Sequence, residues 1–147
     1  MTDWRVELIP VERTRPLRKR VLRPSFSEQQ LVFPGDGTES TFHVGTLIGD
    51  EVAGIMTVMR DPQPGIDKPA WRIRGMATAP EHQGSGFGRA MIEHGCAEAW
   101  ARDRDAIWCN AREIAFGFYE KLGFVKVGGL FEIDDIGVHS VMVIQPL

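Results

Sequence analysis

Cysteine is nearly absent from this chain: Cys96 and Cys109 are the only two in 147 residues. Both sit in apolar segments rather than in a close-spaced pair, which argues against a disulfide framework and leads us to expect reduced thiols in a cytoplasmic protein. His43, His82, His94 and His139 lack ligand-like spacing and have no acidic or cysteine partner close in sequence, so no metal is expected. No apolar run approaches the length that spans a bilayer, and Met1-Thr2-Asp3-Trp4-Arg5 lacks the apolar core of a signal peptide, so no membrane partner is expected. There is no internal repeat. Charge is not lopsided overall, with a net of -3, but the bases crowd one end: Arg5, Arg13, Arg15, Arg18, Lys19, Arg20 and Arg23 stand against Asp3, Glu7 and Glu12. Without the aromatic or glycine pattern of a nucleic-acid module, this reads as a solvated helix face and not as a nucleic-acid site. With 43% hydrophobic and 25% charged residues the chain is too apolar for disorder, and its length suits one domain over 1–147.

What the chain does have is a strand, a glycine loop and a helix in immediate succession. Trp71 to Thr78 reads as a strand, Gln83-Gly84-Ser85-Gly86-Phe87-Gly88-Arg89 as a loop, and the run to Arg104 as a helix. The first amides of a helix have no intrahelical partner and carry partial positive charge, so a loop leading tightly into them can cradle a phosphate. Gly84, Gly86 and Gly88 permit positive φ and close backbone approach. From Gly88 the helix carries Met91, Ile92, Gly95, Cys96 and Ala99 on one stripe, small enough in its second half to sit close to a sheet. Gly75 interrupts the preceding strand and suggests a bulge, or a place where something approaches the backbone.

The remaining elements follow from patterning. Arg5 to Ile9 alternates as a strand stopped by Pro10, and Pro16 and Pro24 bracket a short helix. Residues 25–40 form a loop or short helix near the cleft, with Leu31, Val32 and Phe33 as an apolar island. Thr41 to Ile48 and Glu51 to Met59 read as strands joined at Gly49-Asp50. Ala106 to Cys109 is a buried strand and Glu113 to Leu122 a helix capped by Gly123. Phe124 to Val127 and Val138 to Ile144 are strands around a loop holding Glu132, Asp134 and Asp135. The sum is a mixed α/β domain with one sheet.

Two motifs together resemble a known family. Gln83-x-x-Gly86-x-Gly88 after a strand, then Phe118-Tyr119-Glu120-Lys121-Leu122-Gly123-Phe124 about thirty residues on, resembles the GNAT N-acetyltransferases. Asn110-Ala111-Arg112 is similar to a small, mostly bacterial branch of unassigned substrate. The resemblance implies an acyl-CoA N-acyltransferase fold: a strongly bent central sheet, split between its fourth and fifth strands and flanked by helices. It implies acetyl-CoA as cosubstrate, with its pantetheine arm along Met76, Ala77 and Thr78 and its pyrophosphate on the amides of Gly84, Ser85, Gly86, Phe87, Gly88 and Arg89, behind Gln83. The implied acceptor is a primary amine, on a small molecule or a protein, attacked directly in a ternary complex. Homodimerisation follows by analogy alone.

Each site residue has two readings. Tyr119, the chain's only tyrosine, matches a tyrosine that stands near the sulfur as general acid in similar proteins; alternatively it is a core aromatic. Asn110 either bonds the pantetheine or is a satisfied strand-end residue. Arg89 either adds charge to the phosphate site or faces solvent. For the general base, Glu132, Asp134, Asp135, His139 and a water all remain open, and the acidic residues would favour a cationic acceptor slightly. His139 resembles a histidine of this branch that usually follows a proline; here Val138 precedes it. A non-catalytic acyl-CoA sensor, or transfer of a longer acyl group, are the competing readings. A dinucleotide-binding unit is disfavoured because Gly84-Ser85-Gly86-Phe87-Gly88 lacks the GxGxxG spacing.

Overall fold

A strand hairpin sets the frame. β2 (Phe42–Ile48) and β3 (Glu51–Arg60) pair antiparallel across Gly49-Asp50, with Ile48 opposite Glu51. Gly49 takes a φ of +60° while Asp50 does not have positive φ, the pattern of a type II′ turn. β1 (Arg5–Ile9) pairs with β2, and β3 pairs with β4 (Trp71–Thr78). Beyond them lie β5 (Ile107–Arg112), β7 (Gly137–Ile144) and β6 (Val125–Ile133), giving one seven-stranded sheet in the order β1-β2-β3-β4-β5-β7-β6. The computed structural model describes residues 3–147; Met1 and Thr2, which open the segment read above as lacking a signal peptide, lie outside them.

The helix α2 (Phe87–Arg102) packs on one face of the sheet. Its buried stripe is Phe87, Met91, Ile92, Gly95, Cys96 and Ala99, which meets Trp71, Ile73, Ile107 and Cys109. Close approach is required here: a Cβ on Gly95 would lie 2.4 Å from Met56 Cε. Each large apolar side chain removed from water in this layer contributes roughly 1.5–3 kcal/mol. On the opposite face, α1 (Arg15–Leu17) covers a smaller cluster of Ile9, Leu17, Leu47, Ile55 and Ala77. It is preceded by a 3₁₀ turn at Val11–Thr14 and continues as a π turn at Arg18–Leu22. α3 (Phe116–Lys121) follows a 3₁₀ turn at Glu113–Ala115 and closes with Gly123 at φ +100°.

Three expectations are corrected. The basic first helix is not uniformly solvated: Arg18 is fully buried and forms a bidentate ion pair with Asp36 at 2.6 and 2.9 Å. β5 does not stop at Cys109 but runs through Arg112, because Asn110, Ala111 and Arg112 pair with Val141, Ser140 and His139. The segment carrying Glu132 is strand, not loop. β6 continues to Ile133 past a bulge between Val127 and Phe131, which Gly128-Gly129 disguises as a break, so only residues 134–136 form the turn. Residues 25–40 form turns without a regular helix.

Candidate active site

β4 and β5 run parallel, yet they are registered only at Trp71 opposite Ile107 and Arg72 opposite Trp108. The closed end of this V is pinned from outside. Trp108 donates its indole N–H to the Asp61 carbonyl at 2.8 Å, Trp71 donates to the Asp103 carbonyl at 3.0 Å, and Arg72 pairs with the Asp61 carboxylate at 3.2 Å. Past Arg72 the strands diverge, and the β5-facing edge of Ile73 to Thr78 has no strand partner. The gap is a cleft of about 600 Å³.

A strand alternates its side chains between two faces, so the core assignments fix what lies on each wall. Trp71, Ile73, Ile107, Cys109 and Ala111 belong to the core under α2, together with Tyr119. Arg72, Arg74, Trp108, Asn110 and Arg112 therefore face the other way. His139 joins them, because it lies directly opposite Arg112 in the β5–β7 ladder.

Tyr119 is buried between Phe118 and Phe124, edge-on to both at 5.1 and 5.3 Å, yet it lines the cleft with Cys109. Burial, and then the neighbouring Cys109, hold its hydroxyl well above the ordinary tyrosine range, so it keeps its proton at any working pH. Burial likewise pushes the Cys109 thiol up to about 12, which makes it inert as a nucleophile. On the opposite wall His139 is buried, stacked on Phe131 at 5.9 Å, with Nδ1 2.7 Å from the Gly137 carbonyl. A carbonyl only accepts, so Nδ1 carries the proton and Nε2 of the neutral ring is an acceptor.

The loop into α2 has the traits of an anion cradle. Gly84 and Gly86 hold φ of +83° and +88°, and a Cβ on either would meet nothing within 4 Å. Among the described residues α2 has no side-chain cap, and the first helical bond is donated by Ala90 to Gly86, which leaves the earlier amides of the helix open. Gly88 differs from its neighbours: its φ is not positive, and a Cβ there would lie 3.3 Å from the Phe118 ring. The Phe87 side chain is buried against Trp4 and His82, so only its backbone belongs to the loop. Arg89 is exposed and pairs with Glu93 at 3.1 Å.

The fold thus brings Met76, Ala77, Thr78, Gln83, Asn110, Tyr119 and His139 to one cleft. Glu132, Asp134 and Asp135 are exposed and outside its lining, which Ile133 and Ile136 supply in their place. Phe33, Arg23 and Arg74 were missed in the sequence; the apolar island of residues 31–33 was the only signal. What approaches the backbone at Gly75, whose φ is +63°, is the Phe33 ring: a Cβ would lie 3.1 Å from it. The free β4 edge, the open amides and the uncapped helix suit an extended carrier with an anionic tail.

This sheet, opened between its fourth and fifth strands beside a glycine loop, has the architecture of the acyl-CoA N-acyltransferases. Residues 7–124 match the acetyltransferase (GNAT) family. Over 138 residues the chain is 36% identical to an uncharacterised N-acetyltransferase, YitI, of Bacillus subtilis (strain 168), which covers 93% of each. Similar solved structures include Escherichia coli ElaA (TM-score 0.78, 17% identity, 99% of this chain and 100% of that one). An aminoglycoside 6'-N-acetyltransferase complexed with coenzyme A is another (TM-score 0.75, 14% identity, 96% of each). The chain belongs to the GNAT acetyltransferase family, and with it to the enzymes that transfer an acyl group from acyl-CoA to an amine. Among the described residues no helix is long and apolar enough to cross a membrane, and no cluster of metal-ligating side chains occurs.

Proposed function

We propose that this enzyme transfers an acetyl group from acetyl-CoA to a primary amine by direct attack across the β4–β5 split. Acetyl-CoA, when bound, supplies the activated acetyl group. The amides of Gly84, Gly86, Phe87, Gly88 and Arg89 hold its phosphates, while the Ser85 amide is spent on the His82 carbonyl at 3.3 Å, and the free edge at Met76, Ala77 and Thr78, with Asn110 across the gap, receives the pantetheine arm. The residues then need only position the acceptor and move two protons. His139 takes the proton of the attacking amine on Nε2, directly or through one water. Tyr119, which stays protonated, gives a proton to the departing thiolate.

The single observation that carries this reading is the sorting of the two groups onto opposite walls of one cleft: Tyr119 stands with Cys109 on the α2 side, and His139 with Arg112 on the other. An acid on the thiol side and a base on the amine side is the arrangement that transfer through a split requires. The test is thiol release over an amine panel, with calorimetric binding of coenzyme A as the control. Tyr119→Phe is expected to lower kcat by about 10²-fold or more with coenzyme A affinity unchanged. His139→Gln is expected to lower kcat by about 10²-fold or more, likewise with coenzyme A affinity unchanged. An unchanged kcat in Tyr119→Phe removes the acid role, and coenzyme A binding without thiol release from any amine would make the protein a sensor.

A further inference from the structure

The wall that faces the acceptor carries arginines and no carboxylate. Arg23, Arg72, Arg74 and Arg112 line the cleft, and neither an aspartate nor a glutamate does. This is notable in a chain with more acidic than basic residues, 20 against 17. These charges are not there for the carrier's phosphates. Arg72, Arg74 and Arg112 project from the sheet face opposite α2, whereas the anion loop is the N-terminus of α2.

The four arginines are not equivalent. Arg72 is neutralised by Asp61 and lies over the Trp108 ring at 4.9 Å. Arg23 spends one N–H on the Leu22 carbonyl. Arg74 is half-buried and, among the described residues, has neither an ion-pair partner nor a hydrogen-bond acceptor. It is nevertheless held in place: its guanidinium lies 4.5 Å from the Phe33 ring, whose centroid is 3.9 Å from the buried Arg18 guanidinium. Phe33 is anchored in turn, its amide donating to Asp36 at 2.8 Å. Burial first, and then the charges of Arg72 and Arg18, which Asp36 and Asp61 offset only in part, push the Arg74 guanidinium below its ordinary value. A half-buried charge left unpaired is costly, and a rigid planar fork matches a carboxylate bidentately. Nothing on this wall would welcome a second cation, because the acidic residues of the β6–β7 turn face solvent.

We infer that the acceptor is a small amine that also carries a carboxylate, and that Arg74, flanked by Arg23 and Arg112, receives the carboxylate while His139 faces the amine. This rests on the acyltransferase reading above and narrows its acceptor to amino acids and similar anionic amines, in place of polyamines.

The experiment pairs a set of free amino acids with their carboxamides and with diamines of similar length, in two readouts on the full chain. One is kcat/KM for thiol release from acetyl-CoA. The other is calorimetric binding of each amine to the protein loaded with coenzyme A, which needs no turnover. Free amino acids are expected to exceed their amides at least tenfold in both. Arg74→Met should cut that carboxylate-to-amide ratio about 10- to 100-fold, through KM rather than kcat, as loss of one charge-assisted pair predicts. Arg74→Lys should restore part of it. Arg112→Gln, an exposed position that the fold tolerates, should lower the ratio in the same direction by less. Amides or diamines used as well as the amino acids, or a ratio unmoved in both variants, overturns the inference and leaves the acyltransferase reading standing. Absence of thiol release from every amine overturns that reading instead; carboxylate-dependent binding lost in Arg74→Met then still supports the anion site, and binding without discrimination overturns it.

Discussion

Arg18 is the residue on which the proposed acceptor wall rests. It is fully buried, and its guanidinium donates to both Asp36 oxygens, to the Leu31 carbonyl at 2.8 Å and to Thr57 Oγ1 at 2.8 Å. Burial opposes the Asp36 charge, but the hydrogen bonds from Arg18 and the Phe33 amide hold its carboxyl below the ordinary range. Removing one member of such a pair strands the other in a dry interior, so Asp36→Asn is expected to cost about 3–5 kcal/mol in a denaturant titration. The same change frees Phe33 and with it the platform under Arg74. Binding of the acceptor should therefore suffer in the folded fraction, whereas coenzyme A, held mainly by the proposed phosphate loop at the start of α2, should bind as before.

At the scale of the element, the loop and α2 divide their glycines between two tasks. Gly84 and Gly86 hold positive φ in open space, and Gly88 and Gly95 admit neighbouring side chains. Substitution at Gly86 thus meets no clash but forces an L-residue into the left-handed region, at roughly 1–2 kcal/mol. Gly86→Ala is expected to raise the Kd for coenzyme A about tenfold in calorimetry while the amine specificity ratio stays unchanged, because strain at the first amides disturbs only the proposed phosphate cradle. The presence of strand, loop and helix was legible in the sequence, since their periodicities are local. The division of labour among the glycines was not, since Phe118 and Met56 reach them from distant segments. The extent of β6 was hidden for a similar reason: its ladder with β7 carries it past Gly128-Gly129, which local patterning reads as a break.

Over the whole molecule, two buried groups of one network make stability depend on pH in the same direction. His43 accepts or donates at Thr57 Oγ1 at 2.9 Å, and its Nε2 has no partner among the described residues. Burial, outweighing the attraction of Asp36, lowers its pKa from the ordinary 6.5. The unfolded chain therefore takes up a proton near pH 6.5 that the folded one refuses, and stability is lost as pH falls from there toward the depressed folded value. Asp36, whose folded pKa is also depressed, adds a second loss below its ordinary 3.8. Melting temperature is expected to drop between pH 7 and pH 5 and again in stronger acid. His43→Gln should flatten the first step and leave the second.

The order of elements, the glycine loop, the tyrosine motif and the family they point to were determined by the sequence alone, because each lies within a short span whose spacing carries its own physics. The tertiary structure decided which wall of the cleft each residue serves. That depends on a parallel pairing that lasts two residues, a bulge at Gly75, and an ion pair between segments that share no local pattern. Arg18 reads as one more base on a polar helix until the chain closes over it. His139 and Arg74 become partners in one cleft only when β5 and β7 align, since facing across a sheet is set by long-range register and not by neighbours in the chain.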